Sequence, residues 1–255
     1  MAWSICVATI TCIISLIGEP LLPLLRIRLT FVCRLDLSWC LGFGSPPRFA
    51  DPRFVSWDPL FPNISGPDFF ELCLTDTRLV VVFHDVRCIV GLINEHSSQN
   101  TKFHGAAFQH YINSVQTRLL LLKDLFHGVD ECVCLAMLAF MTTTFHLPGK
   151  KMPYHALRRR LQGSFQALAQ ARMPELQDLL LWVLIVCSIS VLDDEVSWLA
   201  TRWVDVSGRN FKWEEMRWRL QNIMWIDFMH DNLGREAFLK MASGVTSGII
   251  GEEVN

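Results

Sequence analysis

The sequence predicts an all-α fold: a multi-helix domain preceded by an extended proline- and aromatic-rich strap and an apolar N-terminal segment. Three observations carry this. In Tyr154–Ala171, Leu157, Leu161, Phe165 and Leu168 recur at helical spacing, with Arg158–Arg160, Gln162 and Gln166 set largely away from them. Leu179–Leu192 then holds no charge, is too short to span a bilayer, and follows a proline that suits a first helical turn. Nowhere do apolar and polar residues alternate over regularly spaced strand-length runs.

Residues 1–43 form the apolar segment. Ala2–Gly18 is uncharged and lies at the lower limit for a bilayer span, which takes about twenty residues. It lacks the basic n-region of a signal peptide, and Arg26, Arg28 and Arg34 after it would bias that side toward the cytosol. Three accounts stand side by side: a membrane anchor or uncleaved signal, a buried helix of the domain, or a mis-assigned start replacing the natural N-terminus. The abrupt change of character near Gly44 favours the last.

Residues 44–67 form the strap. Its recurring prolines deny a regular helix, and Phe49, Phe54, Trp57 and Phe61 between them are expected to dock on the helical body. Asn63-Ile64-Ser65 matches a glycosylation acceptor, a triplet common by chance and read as unused.

Residues 68–242 read as helices joined by short loops. The first is expected over Asp68–Glu95, with a break near Thr75–Thr77. Leu79, Val82, Phe83, Val86, Ile89, Val90 and Ile93 form its inward face. After a polar loop at Ser97–Asn100 comes His104–Phe126, stopped by Gly128. Asp130 is expected to cap a helix through Cys132–Phe145, which ends at Pro148-Gly149. Beyond Tyr154–Ala171, Pro174 opens the apolar helix, with Glu175 and Asp178 complementing its dipole. Asp193-Asp194-Glu195 begins a helix to about Val206, and Trp213–Leu233 and Gly234–Ala242 complete the body. Residues 243–255 read as a flexible tail.

Composition agrees with a large core. Hydrophobic residues make up 51% and charged residues only 19%, so much of the chain must be buried. A net charge of −2, and no basic run longer than Arg158–Arg160, leave no concentrated face for nucleic acid. Arg158–Arg160 with Lys150 and Lys151 is read as a solvated helix face. The nine cysteines are odd in number and spread through apolar runs, the pattern of reduced core thiols.

Few constellations suggest chemistry. No Cys-x-x-Cys pair exists, and Cys6, Cys12, Cys33 and Cys40 are too sparse for a zinc cluster. His84 and Cys88 share a helix face beside Asp85, and His104 or His110 would have to complete a metal shell. A hydrogen-bonded histidine at a core edge is the simpler reading. Asp193, Asp194 and Glu195 could serve an α-helical magnesium enzyme, yet consecutive carboxylates fan around a helix, and the dipole accounts for them. Gly-x-Ser-x-Gly and phosphate-cradling glycine loops do not occur. Trp198, Trp203, Trp213, Trp218 and Trp225 are read as core, with an apolar small-molecule pocket as their alternative role. Trp218 and Trp225 would share a helix face.

Three segments carry a resemblance: Arg78–His96, Thr142–Leu192 and Phe211–Phe238. Together they resemble the C-terminal helical regulatory domain of fungal zinc-cluster transcription factors, and more closely fungal proteins that carry this domain alone. The likeness spans about Asp68 to Ala242. It implies a non-enzymatic regulator of transcription, nuclear or cytoplasmic, that acts through protein partners, self-association or a small apolar ligand. Without the zinc cluster, sequence-specific DNA binding by these residues is not expected. The family offers no residue motif to carry over, so no catalytic or metal-binding residue is assigned and no cofactor is expected. The rival readings are a membrane-associated helical protein anchored by residues 2–18 and, more remotely, an α-helical enzyme.

Overall fold

The computed structural model describes residues 36–37, 39–48, 55–62, 73–101, 105–144, 154–171, 173–192, 196–207 and 211–249. Among them all regular structure is helical. The elements are α1 (Thr77–Ser98), α2 (Gly105–Leu122), α3 (Gly128–Thr143), α4 (His155–Ala171), a 3-10 turn (Pro174–Leu176), α5 (Gln177–Ile189), α6 (Val196–Ser207), α7 (Trp213–Ile223) and α8 (Asp227–Ile249).

α5 is the central element and packs against α3, α4, α6, α7 and α8. Every residue from Leu179 to Cys187 is buried, the environment an uncharged run needs. Around it α4 lies on α3 and α8 lies on α6, while α1 and α2 extend the same core beyond α3. The stripe of α4 behaves as its spacing predicts: Leu157, Leu161, Phe165 and Leu168 are all buried.

α1 starts at Thr77 because Asp76 caps it, accepting from the Arg78 and Leu79 amides at 2.8 and 3.4 Å. Residues 68–72 of the expected first helix lie outside the described residues. At its other end α1 runs through Ser98, past the expected loop, because Ser98 Oγ and the Gln99 amide both donate to the Glu95 carbonyl. Asn100, at φ 53°, then turns the chain.

Two boundaries correct the sequence reading. α2 ends at Leu122, short of Phe126, and Gly128 at φ 63° opens α3 instead of stopping α2. Asp130 does not cap α3. Its carboxylate reaches back to Thr75, accepting from the amide at 3.0 Å and from Oγ1 at 2.5 Å, and takes the Asp76 amide at 3.1 Å. The start of α3 thereby fixes the chain entering α1.

The last helices differ most. The expected helix across Trp213–Leu233 is interrupted at Met224-Trp225-Ile226, and α8 runs without a break through Gly234 to Ile249. Residues 250–255 of the expected tail lie outside the described residues. Trp218 and Trp225 therefore share no face: the first is 60% exposed and the second 1%. Three side chains hold the break. Trp182 Nε1 donates to the Met224 carbonyl at 2.7 Å. Asn94 of α1 donates to the Trp225 carbonyl at 2.8 Å and accepts from the Asp227 amide at 3.1 Å. His230 Nδ1 accepts the Ile226 amide at 3.2 Å, closing the first turn of α8 from within.

Gly234 has a packing reason. A Cβ there would lie 2.6 and 2.7 Å from the ring of Trp225 and 3.1 Å from that of Trp213. Trp225 cannot swing aside, since Nε1 donates to Asp231 at 2.8 Å and the indole lies against His230. An exposed helix would gain about 1 kcal/mol from Gly→Ala. Gly234→Ala is instead expected to lose about 1–2 kcal/mol net, because overpacking outweighs propensity. Urea unfolding checks the sign, and a stabilised variant would refute the packing argument.

The N-terminal side joins the same core. Residues 36–37 and 39–43 are helical, Leu37, Cys40 and Leu41 are buried, and the Gly44 amide donates to the Cys40 carbonyl at 2.8 Å. The change of composition at Gly44 thus coincides with a helix end, where φ is 74° and an added Cβ would lie 3.1 Å from that of Ala156. Among the described residues no helix is long and apolar enough to cross a membrane, and residues 2–18 lie outside them.

The strap is described over residues 44–48 and 55–62, and the aromatics of the second stretch dock as expected. Trp57 lies under the Arg78 guanidinium at 5.6 Å, Phe61 meets Tyr111 with ring centroids 5.2 Å apart, and the Leu60 amide donates to Asp85 at 2.9 Å. Phe49 and Phe54 lie outside the described residues.

Candidate functional site

The ionisable side chains divide into those that tie helices together and those that face open space. Asp85 of α1 and Arg118 of α2 are wholly buried and paired at 2.7 Å, with the Leu60 amide on the second carboxylate oxygen. Arg118 Nε and Nη1 are buried without a partner among the described residues. Arg160 of α4 bonds Asp124 at 2.5 Å, Glu131 at 2.8 Å and the Lys123 carbonyl at 2.7 Å. It is thus a strut onto α3 and the turn before it, not part of a solvated face, although Arg159 is exposed. Arg219 of α7 pairs with Asp178 and Glu215 and lies over the Phe211 ring, while Arg217 joins Asp227 and Asp231 of α8.

His230 is displaced well below the ordinary histidine range. Burial lowers its pKa to about 4, only partly opposed by the Asp231 charge. With Nδ1 accepting from Ile226, Nε2 carries the proton and donates to Thr143 Oγ1 at 2.8 Å, and Thr143 in turn donates to the Phe140 carbonyl. Both ring nitrogens serve the packing of α8 on α3.

The residues singled out in the sequence are not brought together. His84 and Cys88 touch, with Sγ 3.7 Å from Nδ1, while His110 is exposed elsewhere and His104 lies outside the described residues. Among the described residues no group of three or more His, Cys, Asp or Glu could hold a metal ion. Asp193, Asp194 and Glu195 also lie outside them. Burial pushes the Cys132 thiol up to about 12 and raises Cys134 and Cys187 strongly, leaving them as core thiols.

Open space occurs where four elements end together. A cleft of 640 Å³ lies between the C-terminal end of α4, the 3-10 turn, the start of α5 and the end of α6. Its apolar lining is Ala169, Met173, Pro174, Leu180 and Val206, and its polar lining is Gln170, Gln177, Arg202 and Asp205. Gln177 Nε2 donates to the Val206 and Ser207 carbonyls at 2.9 and 3.3 Å, fastening the start of α5 to the last turn of α6. Arg202 Nη1 pairs with Asp205 at 2.7 Å, while its Nε is buried without a partner among the described residues. None of the five tryptophans, read as core with a pocket as the alternative, is among the lining residues. Trp203 instead packs edge-on against Phe211 and Phe238, and Trp198 against Phe165. The sequence offers only a faint signal for this cleft: glutamines where the stripe of α4 and the apolar run of α5 meet their ends, and an Arg-x-x-Asp pair on α6.

These features define an all-α protein with a central buried helix and a cleft of mixed lining at a junction of helix ends. No protein-family model, curated protein or solved structure matches this chain.

Proposed function

We propose that the chain is a non-enzymatic regulatory domain that works by binding a protein partner or a small molecule, in the manner of the helical regulatory half of a fungal transcription factor. The observation that carries this reading is the cleft, whose 640 Å³ falls in the range of small-molecule sites between helices. Support also comes from how the charged side chains are used. Asp85–Arg118, Arg160 with Asp124 and Glu131, and Arg219 with Asp178 join separate elements of one body. On this reading the domain acts in the nucleus or cytoplasm, and DNA is reached through another polypeptide or another module.

The test is recruitment. The full chain, fused to a heterologous DNA-binding domain and brought to a reporter promoter in a fungal cell, is expected to change reporter output several-fold. An unchanged reporter, with the fusion nuclear and at normal abundance, would end the transcriptional reading.

A further inference from the structure

We infer that the cleft between α4, the 3-10 turn, α5 and α6 receives an uncharged, mainly apolar small molecule carrying an acceptor oxygen, and that Arg202 reads that oxygen. The inference deepens the regulatory reading, since it names the chemical class of the effector at the same site.

The floor is built before any ligand arrives. Gln177 holds the end of α6 through two carbonyls, and Leu180 and Val206 beside it are buried core residues. Binding therefore needs little reordering of the walls. Met173 is 45% exposed, and its flexible thioether can follow the outline of different apolar bodies.

Charge decides the ligand class. Among the described residues Arg202 is the cationic member of the lining and Asp205 the anionic one, and they pair with each other at 2.7 Å. Gln170 and Gln177 add no charge. An ionic ligand would have to break that pair or face one of its members unscreened, whereas an uncharged one leaves it whole. Arg202 still has donor capacity, because Asp205 engages Nη1 alone and, among the described residues, Nη2 is neither paired nor buried. A guanidinium with free N–H groups beside apolar walls selects a carbonyl or hydroxyl oxygen on an apolar frame.

The experiment uses the full chain with two dyes: prodan, an uncharged naphthyl ketone, and anilinonaphthalene sulfonate, which is anionic. Prodan is expected to bind saturably with blue-shifted emission. Ala169→Trp, which fills the cleft from α4, should weaken it at least ~10-fold, and Arg202→Met roughly fivefold. If Ala169→Trp fails to fold by circular dichroism, Gln170→Trp at the exposed rim replaces it with the same expectation. Prodan binding unchanged in a folded cleft-filling variant overturns the site. Tighter binding of the anionic dye, abolished by Arg202→Met, overturns the ligand class. Neither result depends on the reporter, so a failure here is distinguishable from a failure of the regulatory reading.

Discussion

Asp85→Ala is expected to cost about 3–5 kcal/mol of folding stability, because it leaves the Arg118 guanidinium buried without a counter-charge. Arg118 is 1% exposed, and two of its nitrogens already have no partner among the described residues, so the carboxylate offsets most of its desolvation. The substitution also orphans the Leu60 amide, loosening the strap from α1. Replacing both partners, Asp85→Leu with Arg118→Met, removes the uncompensated charge and should recover most of the loss. Urea midpoints at unchanged slope measure both. A single-variant loss below about 1 kcal/mol would show that water reaches the guanidinium and that the pair is not sealed.

The second large effect comes with acid. His230 titrates near 4 in the folded protein against an ordinary 6.5, so the unfolded chain binds the proton first as pH falls. The stability due to neutral His230 is fully present above about pH 6.5 and drains away down to about pH 4, a loss on the order of 3 kcal/mol. Protonation also takes from Nδ1 the lone pair that holds the Ile226 amide, so the first turn of α8 should loosen first. His230→Gln keeps a donor and an acceptor but does not titrate. The stability difference between wild type and His230→Gln should therefore change by this amount between pH 7 and pH 4, while every other titration cancels. A difference that stays flat across that range would place the histidine in water.

The elements legible in the sequence were those whose environment is uniform along their length. α5 meets other elements on every side, so it carries no charge from Leu179 to its end at Ile189, and that shows in composition alone. α4 has one wet face and one dry face, so its four-residue stripe shows in spacing. What stayed hidden depends on residues distant in sequence. The break at Met224–Ile226 contains neither proline nor glycine, and it exists because Asn94 and Trp182 bind its carbonyls. Gly234 suggested a boundary, yet its lack of a side chain serves the Trp225 ring. Asp130 has the residue type and position of a helix cap, and only the fold brings Thr75 within its reach. The cleft is assembled from the ends of four elements, none of which signals it alone.

The clamp of Asn94 on the Trp225–Asp227 turn also has a consequence for the birth of the protein. Its two bonds span 131 and 133 residues, so the ribosome finishes α1 long before it makes the backbone that α1 must hold. At usual elongation rates that interval is on the order of 10 s. In the closing part of it the nascent chain presents an apolar α5 whose partner α8 is not yet made. Closure of the body is therefore a late event, which waits until α8 has left the exit tunnel.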